Sequence, residues 1–216
     1  ISIAIESTLL VQSLQWGAEQ MTTVAEASRA LTQILDTDQL LQRIVDLIHE
    51  RFGFQFVHLY LVDPVQSKII FKAGSGELSI RFTEAHVAYD LDAKKGVIPW
   101  VVQHRESKRV NDVEKEPLYR NTPFAEDQSG SELSIPLQFG GEVLGVLDIQ
   151  CEDRNAFTSN DQQLVETFAD NIAIAIRNAR LYRSEKWRRQ VAESLRDVAS
   201  LLSNNAALND VLQAIL

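Results

Sequence analysis

The sequence predicts an α+β fold, and three observations predict it: helical periodicity near both ends, two strand pairs closed by tight turns, and a long irregular stretch between the pairs. Its 216 residues exceed what one small core needs, so a single globular domain with helical extensions is expected. A hydrophobic fraction of 45% beside a charged fraction of 24% excludes general disorder.

From the start of the chain, Leu10, Leu14, Gly17, Met21, Val24, Ser28, Leu31 and Leu35 fall at alternating steps of four and three, the spacing of a heptad seam. Gly17 and Ser28 leave two layers unfilled, and no proline interrupts the run. The stripe predicts a long helix, paired with a second copy or packed on its own domain. Cap-type residues from Asp36 to Asp38 break it, and Leu40, Leu41, Ile44, Val45, Leu47 and Ile48 carry a second helix that ends near Gly53. Gln55 to Val62 then reads as a strand, Asp63-Pro64 as its turn and Lys68 to Ala73 as its hairpin partner, closed by Gly74-Ser75-Gly76.

Glu77 to Gln128 is the irregular stretch. Val87 to Leu91 predicts a short strand, Gly96 to His104 a short helix, and Arg109 to Asn111 a strand end leading into Asp112. Pro117, Pro123 and the polar run Glu126 to Ser131 break up the remainder. Connections of this length in compact domains tend to be functional, so a ligand lid is expected here. Regularity returns with Ser131 to Phe139 and Glu142 to Cys151, two strands joined by Gly140-Gly141. Thr158 or Ser159 can cap the next helix, with Asp161 or Gln162 completing a capping box. That helix carries Leu164, Val165, Phe168, Ile172, Ile176 and Ala179 and meets no breaker before Asn204. It is expected to run about forty residues, on the order of 60 Å, longer than a small domain can bury.

An internal repeat accompanies the length. Val24-Ala-Glu-Ala-Ser-Arg29 recurs as Val191-Ala-Glu-Ser-Leu-Arg196, and the same ungapped offset places Leu35 on Leu202, Leu41 on Leu208 and Ile48 on Ile215. The chain therefore divides into an N-terminal signalling helix (1–23), a complete domain (24–181), and a connecting helix with the opening helices of a second copy (182–216).

Thirty acidic against 21 basic residues give −9, with a pI near 5.0, which argues against holding nucleic acid or anionic lipid by charge. A lone cysteine, Cys151, excludes an internal disulfide and any multi-thiolate metal site and fits a reducing, cytosolic compartment. No apolar run reaches the roughly 20 residues that span a bilayer. With Ile1 first and Met21 the sole methionine, the sequence is expected to belong to a longer protein carrying an output domain.

Six stretches in this order resemble the GAF domain: Phe54-Gln-Phe-Val-His-Leu-Tyr-Leu-Val-Asp63, Gly96-Val-Ile-Pro-Trp-Val-Val102, Val110-Asn-Asp112 followed by Pro117-Leu-Tyr119, Leu133-Ser-Ile-Pro-Leu137, Gly145-Val-Leu-Asp-Ile-Gln150 and Phe157-Thr-Ser-Asn-Asp161. The match covers about residues 24 to 181. The resemblance implies an α/β/α sandwich around a central antiparallel sheet of about five or six strands. Its terminal helices would lie on one face and an irregular small-molecule pocket on the other. It also implies a sensor module of a bacterial signalling protein such as a histidine kinase, often in tandem and often a homodimer through its end helices.

On that basis the pocket candidates are Tyr60 and Phe71 from the first hairpin, Trp100 and His104 from the short helix, and Asp112, Tyr119 and Phe124 from the insertion. Core filling is the competing role for each aromatic. Dimer contacts are expected along Leu10, Leu14, Met21, Val24, Leu31 and Leu35, and along Phe168, Ile172, Ala175, Ala179 and Tyr182. The exit helix changes phase after Tyr182, since the next seam positions are Trp187, Val191, Ser194 and Val198.

A covalent bilin is disfavoured, because none of His49, His58, His86 or His104 adjoins Cys151; haem on one of these histidines stays open as a cofactor. Of the cyclic-nucleotide signature the chain keeps Phe157 and Asp161, with Gln162 where a glutamate would stand. Relatives that reduce methionine sulfoxide work with several thiols, and Cys151 has no resolving partner. His49-Glu50 lacks a second histidine at helical spacing, so no metalloprotease pattern exists. The expectation is a non-enzymatic, cytosolic sensor that binds an unidentified small molecule. The alternatives are a dimerisation relay with a closed pocket and, more remotely, a thiol redox enzyme using Cys151.

Overall fold

The computed structural model describes residues 37–120 and 129–215, with backbone alone for residue 37 and residues 201–215. The predicted helix from Leu10 to Leu35, with its dimer positions Leu10, Leu14, Met21, Val24, Leu31 and Leu35, lies outside the described residues, as does Phe124.

Helix α1 (Thr37–Phe52) turns Leu40, Leu41, Ile44, Val45 and Ile48 inward at helical spacing. It stops where Gly53 takes φ +67° and donates its N–H to the His49 carbonyl. Strand β1 (Phe56–Asp63) reverses through an Asp63 turn, whose Oδ1 accepts from the Val65 and Gln66 amides, into β2 (Lys68–Gly74). The Gln66 amide, ahead of other contacts, holds the Asp63 carboxyl below its ordinary range. Strands β5 (Ser131–Phe139) and β6 (Glu142–Cys151) have the predicted bounds, and Gly140 and Gly141, at φ +58° and +82°, supply the two positive dihedrals of their hairpin turn.

The irregular stretch contains more order than the sequence predicts. Helix α2 (Gly76–Glu84) occupies a segment expected to be irregular, anchored by Phe82 at 1% exposure. Its Ser, Thr and Gly content gives weak propensity, and burial of Leu78 and Phe82 against the sheet overrides that. Strand β3 (Ala88–Asp90), helix α3 (Val97–His104) and strand β4 (Lys108–Val110) follow as predicted, and a 310 turn spans Val113–Lys115. Six strands form one antiparallel sheet in the order β3-β2-β1-β6-β5-β4.

Two apolar layers sandwich that sheet. On one face, Leu59, Leu133, Ile135, Leu147 and Ile149 pack against α1 and the exit helix α4 (Ser159–Ile215). On the other, Tyr60, Ile69, Phe71 and Val146 pack under α2, α3 and the segment around Val113. The α+β sandwich with terminal helices on one face and the insertion on the other is thus present.

Helix α4 opens on the predicted capping box: Thr158 N–H donates to Asp161 Oδ2 at 2.7 Å and Asp161 N–H to Thr158 Oγ1 at 3.2 Å. It runs 57 residues, past Asn204, so the expected stop there is corrected: two asparagines weaken a helix without ending it. The predicted dimer positions Phe168, Ile172, Ala175 and Ala179 lie on the part of this helix that covers the sheet. Each is at most 4% exposed and packs within the domain's own core. Tyr182 is 45% exposed, and the phase change after it falls where the helix leaves the sheet.

Two outcomes follow for stability. Thr158→Ala removes one side of the capping box and is expected to cost about 1 kcal/mol in urea unfolding. At Gly145 a Cβ would overlap the Tyr60 carbonyl oxygen of the neighbouring strand, so Gly145→Ala is expected to cost about 2–3 kcal/mol, read as a lower urea midpoint.

Candidate functional site

Period-two alternation turns one set of side chains on β1, β5 and β6 toward the insertion. These are His58 and Tyr60, Glu132 and Ser134, and Asp148 and Gln150, all buried. Strand register lines them up: His58 lies opposite Asp148, Asp148 opposite Ser134, and Glu132 opposite Gln150. Five polar residues thus share a layer that is otherwise largely aliphatic and aromatic.

They are tied into a chain. Ser129 Oγ donates to Gln150 Oε1 at 2.6 Å, and Gln150 Nε2 donates to Asp148 Oδ2 at 2.8 Å. Ser134 Oγ lies 2.6 Å from Asp148 Oδ1 and 3.0 Å from Glu132 Oε1, so one hydroxyl hydrogen stands between two carboxylates. At the far end His58 Nδ1 is 3.7 Å from Asp148 Oδ2, beyond hydrogen-bonding range, and neither ring nitrogen of this fully buried histidine has a partner. The imidazole packs against Phe82 and Phe71, with ring centroids 5.0 and 5.9 Å away. Gly74 makes the room, because a Cβ there would stand 2.9 Å from the His58 ring.

Beside this chain Tyr60 and Tyr89 share a side-chain hydrogen bond, their ring centroids 5.7 Å apart. Burial first, then neighbouring charge that includes Asp148, pushes both phenols well above their ordinary value, so both stay protonated. A cavity of about 20 Å³ lies over Glu132 and Gln150, walled by Tyr89, Val97, Ile98, Pro99, Tyr119 and Arg120. A larger, open groove of about 480 Å³ runs between β5, the turn after α3, and α4 past Arg105, Glu106, Glu166 and Asp170, none of which is buried.

Of the sequence-predicted pocket residues, Tyr60, Phe71 and Tyr119 belong to this region. Trp100 and His104 lie along α3, stacked at 4.2 Å with Lys108 Nζ 4.9 Å over the indole, and His104 is exposed. Asp112 does something else: it accepts from the Glu114 amide at the head of the 310 turn and pairs with Lys115 at 2.8 Å and Arg154 at 3.6 Å. Lys115, first among these contacts, holds its carboxyl below the ordinary range.

Glu132, Ser134, Asp148 and Gln150 escaped the sequence reading as site residues, and His58 entered it only among the histidines left open to haem. Their signal was there, as polar residues at alternate positions in strands whose other face is purely aliphatic. Cys151 is half-buried against the helix-side core, on the opposite face of the sheet. His49, His86 and His104 are exposed, each with Nδ1 on a backbone carbonyl. Among the described residues, no three His, Cys, Asp or Glu side chains come together as a metal site.

A family model described as GAF domain matches residues 35–177. Among curated proteins, the chain is 26% identical over 160 residues to the formate hydrogenlyase transcriptional activator of Salmonella typhimurium LT2, covering 72% of this chain and 23% of that protein. It is 23% identical over 225 residues to the DNA-binding transcriptional activator HyfR of Escherichia coli K12, covering 97% of this chain and 33% of that one. The chain thus spans about a quarter to a third of these relatives. Two solved structures share the fold. One is the GAF domain of a phosphoenolpyruvate-protein phosphotransferase from Coxiella burnetii, with TM-score 0.68, 22% identity and coverage of 76% and 96% of the two chains. The other is free methionine-R-sulfoxide reductase from Neisseria meningitidis in complex with its substrate, with TM-score 0.65, 21% identity and coverage of 76% and 92%. With one antiparallel sheet of six strands and a matched model spanning more than half the sequence, the chain belongs to the GAF domain family, whose fold is typical of small-molecule sensing modules in signalling and regulatory proteins.

Proposed function

We propose that this chain is a sensory module that binds a small molecule on the insertion side of its sheet and passes its state to an output domain through α4. The observation that carries this reading is the buried polar chain Ser129–Gln150–Asp148–Ser134–Glu132, with His58 unpartnered at its end. A core built for stability alone gains little from such groups, since each buried polar atom must be satisfied within the protein. Residues that pack nothing efficiently and are not needed by the hydrophobic layer suit recognition of a guest.

Transmission would run through the part of α4 beyond the sheet. Ile174, Leu181, Tyr182, Trp187, Leu195 and Val198 are between 43% and 65% exposed, and Ile174, Leu181 and Leu195 fall on one seven-residue row. A second copy of the chain is the proposed partner for that row, in a cytosolic signalling protein. The repeat extends the argument: the inward positions Leu40, Leu41, Ile44, Val45 and Ile48 of α1 correspond to Ala207, Leu208, Val211, Leu212 and Ile215, where the backbone of α4 is still helical. In this reading residues 182–216 connect the domain to the first helices of a second one like it.

One observation favours the relay-only alternative, in which the pocket stays closed: the cavity holds about 20 Å³, and Tyr60, Phe71 and Phe82 occupy the rest of the layer. A redox enzyme has less support, since Cys151 faces the helix-side core and is the sole thiol. The chain is therefore proposed to be non-enzymatic.

Native mass spectrometry of the purified chain separates sensing from relay. A bound small molecule that dissociates on unfolding is the expected result; a bare mass, with a thermal midpoint unmoved by a metabolite library, would leave relay alone. For the helix, Leu181→Ser combined with Leu195→Ser is expected to lower self-association at least tenfold by sedimentation. The thermal midpoint of the domain should change little, because both side chains are exposed.

A further inference from the structure

We infer that α4 pairs antiparallel with α4 of a second copy of this chain, through the exposed face around Ile174 and Leu181. The inference rests on the second-copy reading above and adds an orientation and a centre to it.

Ile174 and Leu181 are 43% and 50% exposed, and their spacing of seven residues puts both on one side of α4, turned away from the sheet. Asn178 between them is exposed as well, while Ile172, Ala173, Ala175, Ile176 and Ala179 point into the core. Two rods laid head to tail about a twofold axis cover both apolar side chains at once, because Ile174 of each copy meets Leu181 of the other. A parallel pair instead joins Ile174 to Ile174 and Leu181 to Leu181. Apolar contact therefore does not choose between the two orientations, but the charge along the helix does.

The sign of that charge reverses midway between Ile174 and Leu181. From Ser159 to Ile176 the acids are Asp161, Glu166 and Asp170, with no lysine or arginine. From Arg177 to Gln190 the bases are Arg177, Arg180, Arg183, Lys186, Arg188 and Arg189, against Glu185 alone, and Glu185 is already matched by Arg188 at 3.5 Å. In a parallel pair each residue stands at the level of its own copy, so the basic stretch meets the basic stretch. Packed helix axes lie about 8–10 Å apart, within about one Debye length at physiological salt, so that repulsion is not screened away. Turning one rod about a centre at Arg177 and Asn178 brings Glu166 and Asp170 to the level of residues 185–189, where Lys186, Arg188 and Arg189 stand. The twofold axis repeats the exchange at the other end. Glu166 and Asp170 line the open groove of about 480 Å³, along with Arg105 and Glu106, so long basic side chains from a partner's rod find space beside them.

Double electron–electron resonance on the 216-residue chain, in a Cys151→Ser background with one nitroxide per copy, tests the orientation. Gln163 is exposed and lies eleven residues before Ile174, about three turns, on the same face. Labels at Gln163→Cys are expected about 44 Å apart, twice the rise from the centre, and labels at Asn178→Cys within about 20 Å. A parallel pair would bring both sites within about 20 Å. Sedimentation of the unlabelled chain between about 0.05 and about 0.5 M sodium chloride reads the same charges, and self-association is expected to weaken at least about threefold as the attraction is screened. Should Cys151→Ser fail to fold, this second measurement decides. A short distance at Gln163, or self-association that holds or strengthens with salt, overturns the inference and leaves the second copy as the partner. A chain that stays monomeric at every concentration overturns both and leaves the face to a different protein. Guest binding, read by native mass spectrometry, stands or falls separately from either result.

Discussion

Because helices cover one face of the sheet and the insertion covers the other, the middle stretches of the central strands are buried, and the polar groups there depend on partners from within. The pairing of β5 with β6 is where this constraint is set. Its register places Leu133, Ile135, Leu147 and Ile149 on the helix side and Glu132, Ser134, Asp148 and Gln150 on the other. A slip of one residue would exchange the two sets, putting carboxylates into the aliphatic layer. The bulge between Leu137 and Gln138, the turn at Gly140-Gly141 and the close approach of Gly145 to β1 all act on that register.

The two faces have consequently divided their duties. The helix side is almost pure hydrocarbon from Leu40 through Ala179 and accounts for most of the driving force of folding. The insertion side mixes aromatic rings with acids, amides and an imidazole, and its covering elements are short: nine residues in α2, eight in α3 and three in each edge strand. Short elements with few buried apolar contacts open at lower free energy than the strands beneath them. Recognition placed under such a cover can respond to a guest while the helical face holds the domain together.

Much of the fold was legible because its strong signals are local. Gly140-Gly141 between alternating strands, the Asp63-Pro64 turn and the Thr158–Asp161 box each name an element boundary through backbone chemistry, and each stands where the sequence puts it. Helix α2 was hidden since its propensity is poor and its stabilisation comes from Phe82 meeting Phe71 and His58, a contact between distant segments. The candidate site was hidden for a related reason. Asp148 and Gln150 were visible as parts of a family stretch, but only pairing across three strands brings them beside His58 and Ser134. Asp112, a pocket candidate from the sequence, caps the 310 turn with its carboxylate paired to Lys115 and Arg154, contacts that local sequence does not display. On α4, spacing alone could not distinguish a seam facing the domain's own sheet from one facing a partner, as Phe168 and Ile172 show.

Beyond Arg180 the exit helix is exposed, and residues 181–200 extend it by about 30 Å. Such a rod acts as a mechanical amplifier. A tilt of about 5° at its base would sweep the far end through some 2–3 Å, half the pitch of a helical turn. Motions too small to disturb the hydrocarbon layer around Ile172 and Ile176 would thus emerge at Val198 as displacements large enough for a neighbouring element to register.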